Sequence, residues 1–294
     1  MRQSAASANR GRLAVVLAIS SSVFLLEVVG AFVANSLALL ADAGHILGDV
    51  VGMALSLAAI WFAGRPSHEA RSYGHYRAEI LAAVANATLL FGISLFVLFE
   101  AALRFAEPPA VASAPMLAFA AISVFANLFS AGTLRRAQSD SLNLRAAFLE
   151  VVSDAAGSAI VIVAAIVIAV TGLTAVDAIA SAAIGLLILP RTWRLLREAI
   201  DVLLEATPKD VDVAHVRGHI IAAPGVADVH DLHIWTITSG MNVVSAHVVI
   251  RGGADPPAVL RALNACLRED FDIEHCTFQL ETPDHRRLEE GLHR

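Results

Sequence analysis

Charged residues are scarce in this chain of 294 amino acids and make up only 16% of it. Lysine occurs once, at Lys209, and the only cysteines are Cys266 and Cys276. Two cysteines are too few for a disulfide framework or a thiolate metal cluster, which excludes disulfide-rich secreted folds and iron–sulfur proteins. The net charge is -6 and there is no long basic run, so the clustered cations that nucleic-acid binding requires are also missing.

Apolar residues are abundant instead. They form 57% of the chain, and the mean hydropathy of +0.67 is too high for an ordinary soluble domain. The excess lies in residues 1–197, where six stretches approach the roughly 20 residues that a helix needs to cross a bilayer. The predicted spans are Leu13 to Val33, Leu37 to Phe62, Ile80 to Phe99, Met116 to Leu134, Ala146 to Val170 and Leu173 to Trp193. The sequence therefore predicts an α-helical membrane protein with six transmembrane helices in a lipid bilayer.

The arginines predict the orientation of these helices. They precede the first helix, lie between the second and third and between the fourth and fifth, and follow the sixth, whereas the alternate connections hold only Arg104. Cytoplasmic loops of membrane proteins are enriched in Lys and Arg. We therefore expect both termini in the cytoplasm, with short outer links joining the helices in pairs.

Residues 198–294 have the composition of a small soluble domain. The pattern predicts helices at Asp210 to Ile221 and Pro256 to Glu269, and strands at Val226 to Trp235, Met241 to Ile250 and Ile273 to Glu281. This αββαβ order is typical of a compact α+β domain with its helices on one face of an open sheet.

Ionisable side chains occur at bilayer depth, where each costs roughly 2.5 to 3.5 kcal/mol on insertion scales. The second span contains Asp42, His45 and Asp49, and the fifth contains Glu150 and Asp154. Residues four apart share a helix face, so each helix offers a pair of inward side chains. One imidazole with carboxylates, from two facing helices, could hold zinc or a related divalent ion tetrahedrally. The alternative is that these groups only form hydrogen bonds between packed helices.

Two further acidic residues lie in the predicted spans. Glu27 fits either helix packing or a role in proton or ion entry. Asp177 is near the outer end of its span, and we expect it at the membrane interface.

Four runs of sequence resemble the cation diffusion facilitator family. They are SLALLADAGHILGDV (Ser36 to Val50), YGHYRAEILAA (Tyr73 to Ala83), NLRAAFLEVVSDAAGS (Asn143 to Ser158) and VHDLHIW (Val229 to Trp235). The resemblance covers nearly the whole chain. It implies a metal transporter with a cytoplasmic ferredoxin-like domain, usually homodimeric, that exports zinc or related divalent ions in exchange for protons. Many eukaryotic members have a histidine-rich loop after helix four; this chain has none, which favours a bacterial plasma-membrane protein.

In the zinc-exporting branch of that family, HxxxD motifs on helices two and five form the transport site. His45, Asp49 and Asp154 match these motifs, but Glu150 stands where the branch commonly has histidine. Three ionised carboxylates and a neutral imidazole carry a formal charge of -3, so a bound dication would leave -1. We therefore expect either a retained proton or tolerance of ions harder than zinc, such as manganese or iron, beside cadmium and cobalt.

The resemblance also implies a regulatory metal site in the cytoplasmic domain. Alternation places His233, His247 and Glu281 on the polar face of the sheet, and a three-residue turn at Ser239 to Met241 would put His233 opposite His247. These three residues are the expected ligands, unless they are simply solvated. The same alternation puts His230 in the core.

A weaker resemblance concerns the loop between helices two and three. His75, with His68 nearby, resembles a loop metal site seen in some family members, although most of that motif is absent.

Two other classes of function, a membrane metal sensor and a metalloenzyme, fit the sequence less well than transport does. A membrane metal sensor that signals through its cytoplasmic domain would not need paired ligands at bilayer depth. A metalloenzyme should keep an open metal position and a general base. Four clustered ligands look closed, and no HExxH motif is present, so we expect no enzymatic activity.

Overall fold

The computed structural model describes residues 5–63, 72–135, 142–273 and 275–285. Its elements, in chain order, are α1 (Ala5–Ala34), α2 (Leu37–Ala63), α3 (Arg77–Ala106), α4 (Ser113–Leu134), α5 (Leu142–Thr171), α6 (Ala175–Leu203), α7 (Val213–Ala222), β1 (Val226–Thr238), β2 (Met241–Ile250), α8 (Pro256–Phe271) and β3 (His275–Glu281). They form two compact units, one from residues within Met1–Trp61 and Ala82–Leu196 and the other from residues within Phe62–Leu81 and Arg197–Arg294.

The first six helices are each long and apolar enough to span a membrane, as the hydropathy predicts. Large apolar side chains such as Phe32, Phe125 and Val170 are more than 70% exposed, as is expected of a surface that faces lipid. The interior is rich in alanine, which lets helices approach closely in a bilayer. Residues with positive φ directly follow α1 and α5, namely Asn35 and Gly172.

Asp177 lies in the first turn of α6, near the end of its span as the sequence indicates, and it also has a structural role there. Its side chain is buried and caps the start of α2. Asp177 Oδ2 accepts a hydrogen bond from the Leu37 amide at 2.8 Å, and Oδ1 accepts from the Ser36 hydroxyl at 2.5 Å and the Ala38 amide at 3.2 Å. A carboxylate at a helix N-terminus satisfies amides that have no partner within the helix. This residue of α6 therefore fixes the end of the helix that carries His45 and Asp49.

The C-terminal module has the predicted α+β class and element order. The sheet order is β1-β2-β3, with β1 and β2 antiparallel and β2 and β3 parallel. Its apolar core is formed by residues of α7, α8 and the strands, among them Ile220, Val248 and Leu263. The polar side chains of the strands alternate with these core residues and lie on the other face of the sheet.

The predicted register of the β1/β2 hairpin is wrong. His233 pairs with Ser245, and His230 pairs with His247. Three features cause the difference: the turn between Thr238 and Met241 has two residues instead of three, the pairing shifts between Thr236 and Thr238, and β1 has an irregularity between His230 and His233. Asp231 adopts a left-handed φ of 49° within that irregularity. An extra residue in one strand interrupts the alternation, and His230 is therefore not a core residue.

Candidate functional site

The structure brings three of the four predicted intramembrane ligands together. His45 Nε2 lies 3.6 Å from Asp154 Oδ1 on α5 and 3.9 Å from Asp49 Oδ2, one turn further along α2. Each residue offers one atom to a group whose members all lie within 4.8 Å of one another. His45 is 9% exposed and Asp154 is 2% exposed. One imidazole and two carboxylates thus converge at a buried point between α2 and α5.

The ligand atoms at this point are not satisfied by neighbouring protein groups. Among the described residues, Asp49 Oδ2 and Asp154 Oδ1 have no hydrogen-bond partner, and neither does His45 Nδ1. Buried polar atoms in native proteins are nearly always paired, and exceptions mark places with another task. Acceptor oxygens beside an imidazole nitrogen suit a divalent cation of the zinc type.

Glu150 is placed differently from the other three. It lies on α5 one turn before Asp154, but it is outside the group of mutually close ligand atoms. Its Oε1 is 3.8 Å from the Arg191 guanidinium on α6. Arg191 carries +1, which brings the local formal charge from -3 to -2. Arg191 is one of the arginines near the end of the sixth predicted span, and its position in the sequence does not indicate a counter-ion role.

A second buried polar cluster lies one turn from the first. The Ser158 hydroxyl donates to Asp42 Oδ2 at 2.6 Å, is 3.4 Å from Glu27 Oε1, and is 2.9 Å from the Ser123 hydroxyl. Asp42 is fully buried, and its Oδ1 lies against Gly157, where an added Cβ would approach it to 2.5 Å. Asp42 therefore joins α2 to α5 beside the candidate metal ligands instead of completing the set.

The sheet of the C-terminal module carries a further cluster. His247 Nδ1 is 2.7 Å from Glu281 Oε1, and His230 Nε2 is 3.0 Å from Glu281 Oε2. The two imidazole rings meet edge to face, with their centroids 5.1 Å apart. Together the three side chains form a group that could hold a metal ion.

The prediction that His233 belongs to this cluster is not supported by the structure. Its side chain is 61% exposed, and its Nε2 lies 2.9 Å from Asp231 Oδ1. His230 takes its place, because the bulge at Asp231 turns His230 to the same face as His247. The three-residue spacing of His230 and His233 is the only sequence feature that could have indicated the bulge, and it is weak evidence.

Glu281 is a buried carboxylate whose neighbours favour its anionic form. Burial raises its pKa, but hydrogen bonds from His230 and Gln279 and the nearby imidazole of His247 outweigh burial and hold the pKa below its ordinary value. An anion between two imidazoles is an arrangement that binds divalent cations.

The predicted loop site is only partly described. His75 lies in the turn before α3, where its carbonyl accepts a hydrogen bond from the Ala78 amide at 3.0 Å. His68 lies outside the described residues. The loop site stays a prediction.

Comparisons with known proteins agree with this division of the chain. The family model described as the cation efflux transmembrane domain matches residues 13–204, and the one described as the cytoplasmic domain of cation efflux proteins matches residues 208–283. The metal cation efflux system protein CzcD of Cupriavidus metallidurans is 46% identical over 93% of this chain and 87% of the relative.

More distant relatives are similar over the same length. A cadmium, cobalt and zinc/H(+)-K(+) antiporter of Bacillus subtilis is 36% identical over 95% of this chain and 91% of its own. The zinc transporter ZitB of Escherichia coli is 36% identical over 93% and 88%, respectively. Among solved structures, the metal-bound C-terminal domain of the CzcD transporter from Cupriavidus metallidurans is 46% identical, with a TM-score of 0.24, and covers 24% of this chain and 99% of that one.

Proposed function

Because this chain belongs to the cation efflux, or cation diffusion facilitator, family of metal transporters, we propose that it exports zinc and related divalent ions from the cytoplasm in exchange for protons. The observation that carries the proposal is the convergence of His45, Asp49 and Asp154 between two membrane-spanning helices, with acceptor oxygens that no described residue satisfies. Relatives named for zinc, cadmium and cobalt support these ions as the substrates.

The charge around the site supports selection of a dication. Glu150 adds a third carboxylate beside Asp49 and Asp154, and the Arg191 guanidinium offsets one negative charge. The resulting formal charge of -2 is what a divalent ion neutralises. Glu150 in this scheme is a ligand or an electrostatic neighbour at the edge of the site, and Arg191 is its counter-ion.

The same carboxylates supply a coupling mechanism. Like charges packed in a buried site favour a shared proton when no metal is bound, and such groups titrate together. Metal entering from the cytoplasm displaces protons, and protons entering from the outside displace metal. If helices rock about a fixed midplane site, the proton gradient drives export. A relative named as an H(+)-K(+) antiporter supports this coupling.

The arginines and the family of the chain support a cellular setting for the transporter. The arginine distribution supports cytoplasmic termini, which puts the C-terminal module in the cytoplasm. We assign the chain to a bacterial cell membrane and expect a homodimer. Membership of a transporter family argues against an enzyme.

Purified protein in liposomes tests the proposal. With an imposed pH gradient, we expect zinc, cadmium and cobalt to be transported and the gradient to be consumed as metal moves. Collapsing the gradient with a protonophore should stop concentrative transport. Metal binding without flux in either direction would favour the alternative, a membrane metal sensor.

We also propose that His230, His247 and Glu281 hold a regulatory metal ion. Glu281 is an anion between two imidazoles on one face of the sheet, and its carboxylate contacts both rings within hydrogen-bonding distance. Ligands from three different strands would be drawn together by a metal ion, so occupancy would stiffen the module.

Replacing all three residues with alanine should raise the metal concentration at which transport reaches half of its maximal activation, and leave the maximal rate within about twofold. The matched control is His233→Ala, which removes an exposed histidine of the same strand and should change neither quantity. Activation measured against cytoplasmic-side zinc in proteoliposomes checks this. An equal response of both variants would mean that the sheet face binds no regulatory metal.

A further inference from the structure

A third group of metal-binding side chains lies on the helices of the C-terminal module. His215 and His219 are one turn apart on α7, and Cys266 and Asp270 are one turn apart on α8. The two helices pack against each other, and their neighbouring residues Val216, Ile220, Leu263 and Leu267 are buried in the core. The four side chains therefore meet along the outer edge of this helix pair.

Three of the four present their ligand atoms with the spacing of a metal site. His219 Nδ1 is 3.1 Å from Asp270 Oδ2 and 3.5 Å from Cys266 Sγ, and Cys266 Sγ is 3.6 Å from Asp270 Oδ2. Around zinc, bond lengths near 2.0–2.1 Å to nitrogen or oxygen and 2.3 Å to sulfur place tetrahedral ligands about 3.4 Å apart for N and O and about 3.6 Å apart for pairs with sulfur. The observed triangle has nearly these edges.

The fourth residue and a nearby ring hold the imidazole in place. His219 Nε2 is 3.1 Å from His215 Nε2, so a metal ion on Nδ1 would leave the other ring nitrogen to donate to His215. Metal-bound histidines usually have such a partner. The Phe271 ring packs against both imidazole rings in T-shaped contacts, with centroid distances of 5.3 Å to His215 and 5.1 Å to His219. The nitrogen ligand is thus preorganised.

Other roles for Cys266 agree less well with its surroundings. The Asp270 carboxylate lies 3.6 Å from Cys266 Sγ, and this neighbouring negative charge disfavours a free thiolate nucleophile when no cation is bound. Cys276 is also a free thiol, and it packs against the apolar core of the module. A disulfide or a nucleophilic role has no support here, whereas a bound cation would offset the negative charge of Asp270.

We propose that Cys266, His219 and Asp270 form a binding site for a thiophilic divalent cation, zinc or cadmium, with water as the fourth ligand and His215 orienting His219. The site goes beyond the transport and sheet-face sites, because neither of those contains sulfur. It also lies on the helical side of the sheet, while His247 and Glu281 alternate with core residues and face the other side. Sulfur makes it the softest of the three sites.

Cobalt binding to the full-length protein in detergent tests the proposal. Thiolate ligation of Co²⁺ gives a sulfur-to-metal charge-transfer band, which nitrogen and oxygen ligands do not give. Cobalt bound at the transport site or the sheet-face site would therefore not contribute to this band. We expect the band in the parent, in Cys276→Ser and in the alanine triple variant at His230, His247 and Glu281. We expect its loss in Cys266→Ser. A parent without the band, or a band that survives in Cys266→Ser, would overturn the proposal.

A second measurement guards against a variant that fails to fold. In the parent, saturating Zn²⁺ should protect Cys266 from alkylation by a maleimide, and His219→Ala should remove that protection. His215→Ala should keep the site but weaken Zn²⁺ binding by about 10- to 100-fold, the usual effect of losing an orienting partner. Equal alkylation of Cys266 with and without Zn²⁺ would show that the cluster forms only hydrogen bonds.

Discussion

Asp154→Ala is expected to abolish metal transport while the protein still inserts and folds. Asp154 Oδ1 is 3.6 Å from His45 Nε2 and has no hydrogen-bond partner among the described residues, so the fold gains little from this oxygen. A metal ion held by few ligands loses several kcal/mol of binding free energy when one is removed. Asp49→Ala should have the same effect, because its carboxylate lies beside the same imidazole nitrogen, with Oδ2 3.9 Å from His45 Nε2.

Zinc flux in proteoliposomes, with zinc binding measured on the same preparations, checks this expectation. The matched control is Glu100→Ala on α3, which removes a carboxylate that pairs with Arg104 at 3.0 Å and contacts no proposed ligand. The control should transport at nearly the parental rate. Near-normal flux in Asp49→Ala or Asp154→Ala would mean that the transport site lies elsewhere.

Glu150→His is expected to shift the substrate preference toward zinc. A softer nitrogen ligand would replace an oxygen, and the ratio of zinc to manganese transport should rise by roughly tenfold, about 1.4 kcal/mol. One negative charge is lost as well, so the remaining carboxylates should hold a proton less tightly and the pH midpoint of metal binding should move to lower pH. Arg191 is then left without its partner, and overall metal affinity should fall.

The ion pair between Glu150 and Arg191 allows a double variant that separates the effect of charge from the effect of ligand type. Adding Arg191→Gln to Glu150→His restores the formal charge of -2, so the double variant should recover metal affinity and keep the zinc preference. Arg191→Gln alone should favour a retained proton. Competition between zinc and manganese over roughly pH 5 to 8, where histidine changes charge, separates these outcomes. If neither the preference nor the midpoint moves in any variant, Glu150 serves only to bind Arg191.

The architecture could be predicted from the sequence because bilayer thickness and helix geometry largely determine it. Six apolar runs near the length of a bilayer leave little choice but six helices, and the four-residue spacing of His45 and Asp49 follows from helix geometry. The convergence of Asp154 with this pair is also foreseeable, since an ionisable group at bilayer depth must face the protein interior. These conclusions are secure because other arrangements would carry large free-energy penalties in the bilayer.

The details that the sequence did not reveal depend on single residues. The pairing of Glu150 with Arg191 requires knowing which faces of α5 and α6 meet, and the burial of Asp177 requires knowing that α6 reaches the start of α2. The exchange of His233 for His230 comes from one residue, Asp231, in a left-handed conformation that aspartate tolerates better than most side chains. At such a point the alternation of side chains between the two faces of the sheet is interrupted, and the hydropathy of the sequence does not change.

The contact between Asp42 and Gly157 has a mechanical consequence for the transport cycle. Asp42 is one turn from His45, and Gly157 and Ser158 are one turn from Asp154, so a hydrogen bond and a bare stretch of backbone join α2 to α5 beside the ligands. Neither helix can slide or rotate past the other without breaking the bond or exposing the carboxylate to apolar surroundings, which is costly. The two helices should therefore move as one body, so that the cation keeps the same ligands throughout the cycle.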